Sequence, residues 1–187
     1  MNDREMIREI HRGKREYLNT IAEKYYDDIF RFCCYQTGNY QEAGDLTQET
    51  FLHFIRSVEH YRCQNLKGYL FTIARNVCVD YFRSCQRRQE KETDWKEAAD
   101  CCQPEEKTMS IRTCQEEFLI TVEQLTRQLP EMQREAMILY YGYGFRYREI
   151  ARMTETGIAT VKSRIRQGTE KLKKSLDRET CMERRSR

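Results

Sequence analysis

The chain has 187 residues, room for one domain or two small ones. Charged residues make up 34% and hydrophobic ones 39%, with only 2 prolines and 8 glycines, which favours helices with wide solvated faces over a sandwich or barrel. The net charge is a modest +3, and no apolar run approaches the roughly 20 residues of a membrane-spanning helix, so no membrane insertion is expected.

The polar start MNDREMIREIHRGKRE has no signal-peptide pattern, so a cytoplasmic protein is expected. Leu18, Ile21, Ala22, Tyr25, Ile29, Phe32 and Cys33 then recur at helical spacing and predict a first helix. Asp45 to Val58 predicts a second, with Leu46, Phe51, Phe54, Ile55 and Val58 inward. A short polar and aromatic loop, EHYRCQNLK, separates it from a third helix over Leu66 to Arg87, capped by Asn65. Leu66, Leu70, Ile73, Ala74, Val77 and Tyr81 form the inner stripe of that helix. Asn76, Asp80, Arg83 and Arg87 form a polar stripe opposite, and Arg83, Arg87 and Arg88 make a basic cluster at its end.

From Gln89 to about Gln115 the helical period fades and acidic residues gather, as in a flexible linker. The single tryptophan, Trp95, falls in it, placed to dock on a domain or on a partner. Glu117 to Leu129 restarts a helix, Pro130 opens another to about Tyr141, and Gly142-Tyr143-Gly144 breaks it. The segment YREIARMTETGIATVKSRIRQGTEKL from Tyr147 then gives a short helix, a tight break and a longer helix. Ile150 and Ala151 face inward on the first of these, and Val161, Ile165, Leu172 and Leu176 on the second. The outer face of the second carries Lys162, Ser163, Arg166 and Gln167, donors suited to phosphates or base edges. This is the pattern of a helix-turn-helix whose second helix enters the DNA major groove. From Ile158 onward ten basic residues face four acidic ones, so two positive surfaces flank a negative spacer. No stretch alternates as a strand would.

The nine cysteines include two adjacent pairs but no C-x-x-C, and are expected as reduced thiols. His60 and Cys63 form one metal-like pair without a second, so neither a metal nor another cofactor is expected. Asp27, Asp28, Asp45 and Glu49 are the acids a metal-dependent nuclease would need, but two of them share one helix and no histidine joins them. No catalytic residue is assigned. The remaining rival is a regulator that binds an operator by itself, which would require a dimer interface that no heptad run or spare apolar helix supplies.

Three segments in order resemble the extracytoplasmic-function sigma factors of bacterial RNA polymerase. DLTQETFLHFIRS from Asp45 is similar to the polymerase-binding helix of sigma region two, and NLKGYLFTIARNVCVDYFRSCQRR from Asn65 to the helix used on the minus-ten promoter element. LPEMQREAMILYYGYGFRYREIA…TVKSRIRQGTEKL from Leu129 is similar to region four. The resemblance implies an all-α chain of two small helical domains, residues 1–88 and 117–187, joined by a linker over 89–116. It implies an alternative sigma factor that binds core RNA polymerase, recognises promoter DNA, melts it and starts transcription.

The implied partners are core polymerase, through its clamp helices and flap region, promoter DNA, and an anti-sigma factor. Asp45, Gln48 and Glu49 would meet the clamp helices. Tyr61, Arg62, Asn65 and Lys67 lie where the family holds a flipped base, with Asn76, Asp80, Arg83 and Arg87 on the adjoining helix. A plain core aromatic is the second reading of Tyr61. Lys162, Ser163, Arg166 and Gln167 would read the minus-thirty-five element, Arg164 and Lys171 would contact phosphates or stabilise the helix, and Arg146 and Arg148 would also meet the DNA backbone. The chain departs from the family in the turn. There a leucine, a glycine, an apolar residue and a serine-like cap are usual, and this chain has Thr154, Glu155, Thr156 and Gly157, the last two being candidate caps.

Overall fold

A computed structural model describes residues 2–62, 65–92 and 129–185, with side chains described to residue 87 in the first part and 174 in the second. The protein is all-α and divides into two compact helical units, Met1–Lys107 and Thr108–Arg187. Among the described residues there is no strand, and no helix is long and apolar enough to cross a membrane. The expected linker beyond Glu92, with Trp95, and the expected helix before Leu129 lie outside the described residues.

The first unit begins with a helix that periodicity did not predict, α1 (Asp3–His11). It buries Met6, Ile7 and Ile10 and is pinned at both ends. The Tyr25 hydroxyl donates to Asp3 Oδ2 at 2.6 Å, Lys24 Nζ lies 2.5 Å from Asp3 Oδ1, and His11 Nε2 donates to the Val58 carbonyl at 2.9 Å. Burial and the Asp3 carboxylate push the Tyr25 hydroxyl pKa well above its ordinary value, so it stays a donor.

α2 (Glu16–Thr37) buries Ile21, Tyr25, Ile29, Phe32 and Cys33, while Leu18 and Ala22, expected inward, are only half-buried. It ends at Gly38, whose φ of 66° is the left-handed conformation that glycine adopts without a Cβ clash. α3 (Tyr40–Ser57) starts five residues before the predicted Asp45, because Asn39 Oδ1 accepts from the N–H groups of Gln41 and Glu42 at 2.9 and 3.3 Å. Its buried face is Ala43, Leu46, Thr47, Thr50, Phe51 and Phe54. Ile55, expected inward, is 46% exposed, since a step of about 100° from Phe54 takes it off that arc. Thr47 and Thr50 sit in the core instead, satisfied by their own helix at Ala43 O (2.6 Å) and Leu46 O (2.7 Å).

A 3-10 turn, Val58–His60, leads toward α4 (Leu66–Glu92), which runs five residues past the predicted end at Arg87. Asn65 caps it as expected, its Oδ1 accepting from Gly68 N–H at 2.9 Å. α2, α3 and α4 pack mutually around Phe32, Phe54, Leu70 and Phe71, with the Phe32 and Phe71 rings 5.3 Å apart. Ile73 and Tyr81, expected inward, are half-buried, and Phe71 and Cys78 fill the interior in their place. Each such buried apolar side chain contributes about 1.5–3 kcal/mol.

In the second unit, α5 (Glu131–Met137) follows Pro130 and runs into a π-helical turn, Ile138–Gly142. Gly144, with φ 73°, completes the predicted break. α6 (Tyr147–Met153) and α7 (Ile158–Arg185) form the helix-turn-helix, and α5 packs on α7. The contact is close at Gly168, where a Cβ would collide with Met137 Sδ and lie 3.3 Å from Leu129 Cδ1.

Candidate polymerase and nucleic-acid interfaces

On α3, Asp45, Gln48 and Glu49 are all exposed along one edge. With Leu52, His53 and Arg56 they line a shallow depression of about 370 Å³. Glu49 Oε1 lies 3.7 Å from His53 Nε2, and Leu52 is 52% exposed. The sequence analysis missed the apolar part of this face, because it turned Ile55 inward and gave Leu52 no place on either side. An edge of acids, an amide and uncovered aliphatics is suited to a protein partner, with the apolar centre supplying area and the charges supplying selectivity.

On α4, Asn76, Asp80, Arg83 and Arg87 are exposed in the predicted outward stripe. Asp80 Oδ1 is 3.4 Å from Arg83 Nη1, and Arg87 Nε donates to the Arg83 carbonyl at 3.2 Å. Before the helix, exposed Arg62 donates from Nη1 to the carbonyls of Glu59 (3.1 Å) and Tyr61 (3.3 Å). Asn65 is exposed but spends its Oδ1 on the helix cap. Lys67 is half-buried, paired with Asp28 at 3.1 Å and lying 5.8 Å from the Phe71 ring centre.

Tyr61 is 5% exposed and its ring centre lies 4.7 Å from that of Tyr69, the packing of the core aromatic that the sequence also allowed.

In the second unit, Ile150, Ala151, Val161 and Ile165 are buried as predicted, and Leu172 is half-buried. Lys162, Arg166, Gln167 and Lys171 are exposed on α7, with Ser163 and Arg164 half-buried. Gln167 is held from both sides: its Oε1 accepts from Gln133 Nε2 at 2.9 Å and its Nε2 donates to Ser163 Oγ at 3.3 Å. Arg166 Nε lies 3.9 Å from Glu170. Lys162 Nζ sits 5.8 Å from the centre of the Tyr147 ring, which stacks on Tyr140 at 4.8 Å. Gln133 and Tyr147 thus support the face from outside α7. Arg146 and Arg148 are exposed at the start of α6, where Arg146 N–H donates to Glu149 Oε2 at 2.7 Å.

The turn between α6 and α7 is closed by polar groups. Thr154 is buried, donates to the Ile150 carbonyl at 2.8 Å, and shares a 2.9 Å hydroxyl contact with Thr156. Glu155 has φ 51°, at the position where a glycine is usual in sigma factors. Gly157 precedes the first residue of α7, and its carbonyl accepts from Val161 N–H at 3.1 Å.

These surfaces coincide with two matches to protein-family models: Sigma-70 region 2 over residues 21–89, and Sigma-70, region 4 over residues 119–172. The ECF RNA polymerase sigma factor EcfG of Rhodopseudomonas palustris is 32% identical over 137 residues, 73% of this chain and 72% of that protein. The chain belongs to the extracytoplasmic-function (ECF) sigma factors. The ECF sigma factor SigW of Bacillus subtilis is 26% identical over 183 residues, covering 91% of this chain and 94% of its own. Two solved structures share the fold. The sigma factor RpoE of Bartonella quintana, in complex with the anti-sigma factor NepR, has a TM-score of 0.62 at 21% identity, covering 87% of this chain and 98% of that one. CnrH, in complex with the cytosolic domain of CnrY, has a TM-score of 0.65 at 17% identity, covering 94% and 97%.

As an ECF sigma factor the protein binds RNA polymerase and promoter DNA and directs transcription initiation. Region 2 takes in α2 to α4, and region 4 takes in α5, α6 and the first half of α7. A self-sufficient operator-binding regulator is not favoured, because it would leave the region 2 match without a role.

Proposed function

We propose that this sigma factor divides its work among three surfaces. The α3 edge of Asp45, Gln48 and Glu49 docks on the clamp helices of core polymerase. The α4 stripe of Asn76, Asp80, Arg83 and Arg87, with Arg62, Asn65 and Lys67 before it, engages the separated strand at the minus-ten element. The α7 face reads the minus-thirty-five element through Lys162, Ser163, Arg166 and Gln167, with Arg146, Arg148, Arg164 and Lys171 on phosphates, and its unit lies beside the polymerase flap. The protein acts by binding in the cytoplasm and has no covalent chemistry of its own.

The observation that carries this division is the chemical contrast between the surfaces. The α3 edge is acidic and apolar, whereas the α4 and α7 faces present arginine, lysine and amides. DNA repels the first and attracts the other two. An anti-sigma factor is proposed as a further partner, because the solved relatives RpoE and CnrH were each captured with a second protein, NepR as an anti-sigma factor and CnrY through its cytosolic domain.

Gel filtration of the chain with purified core polymerase tests the proposal. Coelution as a one-to-one complex is expected. A chain that stays apart from polymerase, and dimerises on promoter DNA alone, would overturn it.

A further inference from the structure

One side chain on the exposed face of α7 has its direction set from another helix. Gln167 is exposed, yet both ends of its amide are engaged: Oε1 accepts from Gln133 Nε2 at 2.9 Å, and Nε2 donates to Ser163 Oγ at 3.3 Å. Gln133 lies on α5, 34 residues earlier in the chain. Gly168, next to Gln167, lets α5 come this close, because a Cβ on it would collide with Met137 Sδ and lie 3.3 Å from Leu129 Cδ1. Gln133 falls midway between those two residues at steps of four, on the same side of the chain. Its own Oε1 is buried with no hydrogen-bond partner among the described residues, so the bond to Gln167 is the one its amide makes there. Turning that amide over would put an NH2 group with two protons in the buried place of one oxygen, and would set oxygen against Gln167 Oε1. The direction of the pair is therefore fixed: Gln133 gives the proton and Gln167 receives it.

An amide reads a base by the order of its two ends as well as by its reach. Adenine offers N6–H and N7 side by side in the major groove, and glutamine pairs with both only when its oxygen faces N6 and its nitrogen faces N7. A glutamine whose amide turns freely can also donate to guanine or accept from cytosine. Held between Gln133 and Ser163, Gln167 keeps one Oε1 lone pair and one Nε2 proton for a base, in a set order. We infer that Gln133 is a positioning residue for promoter reading: from α5 it fixes the direction of the Gln167 amide, and so sets a preference for adenine at the base pair that Gln167 meets. This rests on the reading that α7 faces the minus-thirty-five element through Gln167. Gln133 also removes, before binding, freedom that a long polar side chain would otherwise lose on contact.

The test uses the full chain bound to core polymerase, on promoter duplexes that carry each of the four base pairs at each upstream position in turn. The unaltered chain should favour adenine at one position, and Gln167→Ala should lose that preference. Gln133→Met keeps the length of the side chain and removes the donor. It should cut the same preference about fivefold or more, while preferences at the other positions and thermal unfolding stay as they were. Gln133→Glu offers acceptors only and draws Gln167 Nε2 toward α5, so it should cut the preference too. Combining Gln133→Met with Gln167→Ala should add nothing at that position to the effect of Gln167→Ala.

If Gln167→Ala loses the preference and both Gln133 variants keep it, the inference is overturned and the reading of α7 stands. A loss spread evenly over all positions, or one that follows a lowered unfolding temperature, would make Gln133 a packing residue and overturn the inference as well. So would an unaltered chain that favours a base other than adenine where Gln167→Ala has its effect. A preference that survives Gln167→Ala removes Gln167 from base reading, and the inference falls with it whatever Gln133→Met does.

Discussion

Glu155 is the residue most at odds with its place. A side chain at φ 51° meets its own backbone, at a cost of about 1 kcal/mol that glycine avoids. Glycine also makes the unfolded chain freer, which takes back part of the gain. Glu155→Gly should therefore stabilise the second unit modestly, by up to about 1 kcal/mol, whereas Glu155→Val should destabilise it; thermal unfolding of the three proteins checks that order. The substitution was legible in the sequence as a departure from the family, but the conformation it is forced into was not. Thr47 and Thr50 were hidden for another reason. A polar side chain that bonds its own helix carbonyl can be buried with no partner visible at a distance in sequence. Arg166, by contrast, stands where the period put it, in the middle of the exposed α7 face. Arg166→Ala should change which upstream sequence is preferred, with a cost of about 1–3 kcal/mol if its contact is to a base. Binding to a panel of upstream duplexes checks this, and equal weakening on every sequence would make Arg166 a phosphate anchor instead.

At the scale of elements, the long amphipathic helices were legible and the short or capped ones were not. Val161 and Ile165 fall on one stripe of α7 because apolar residues at the helical period leave few other arrangements. α1 has only Met6, Ile7 and Ile10 among charged neighbours, too few for a stripe to stand out. Its one local signal was Asn2 followed three residues later by Glu5, whose carboxylate accepts from the Asn2 N–H at 3.0 Å. α3 shows how a cap and a period can disagree: Asn39 starts the helix, while the apolar pattern starts later. That same helix carries the proposed polymerase edge, and the edge is testable as a unit. Asp45→Lys with Glu49→Lys reverses two exposed charges that the core does not use, so folding should be preserved. Core-polymerase affinity should fall about tenfold or more, while binding of the chain alone to an upstream duplex does not weaken. Equal polymerase affinity in a titration would remove α3 from the interface.

For the whole molecule, the order of the segments said more than any single one. A basic helix-turn-helix alone fits many DNA-binding proteins, and an acidic helix alone fits a solvated surface. A region 2 match followed by a region 4 match fits a chain that works with polymerase. What the sequence hid at this scale is how loop residues are used, as Tyr61 illustrates. Aromatic residues beside a basic helix suggest stacking, but only the packing against Tyr69 shows that the ring is enclosed. If the three surfaces act as proposed, promoter opening needs this chain and polymerase together, and permanganate footprinting of a cognate promoter reads that out. Reactive, unpaired thymines should appear at the minus-ten element when the chain and core polymerase are both present, and with neither alone. Reactivity with the chain alone, or none with both, would contradict that division of work.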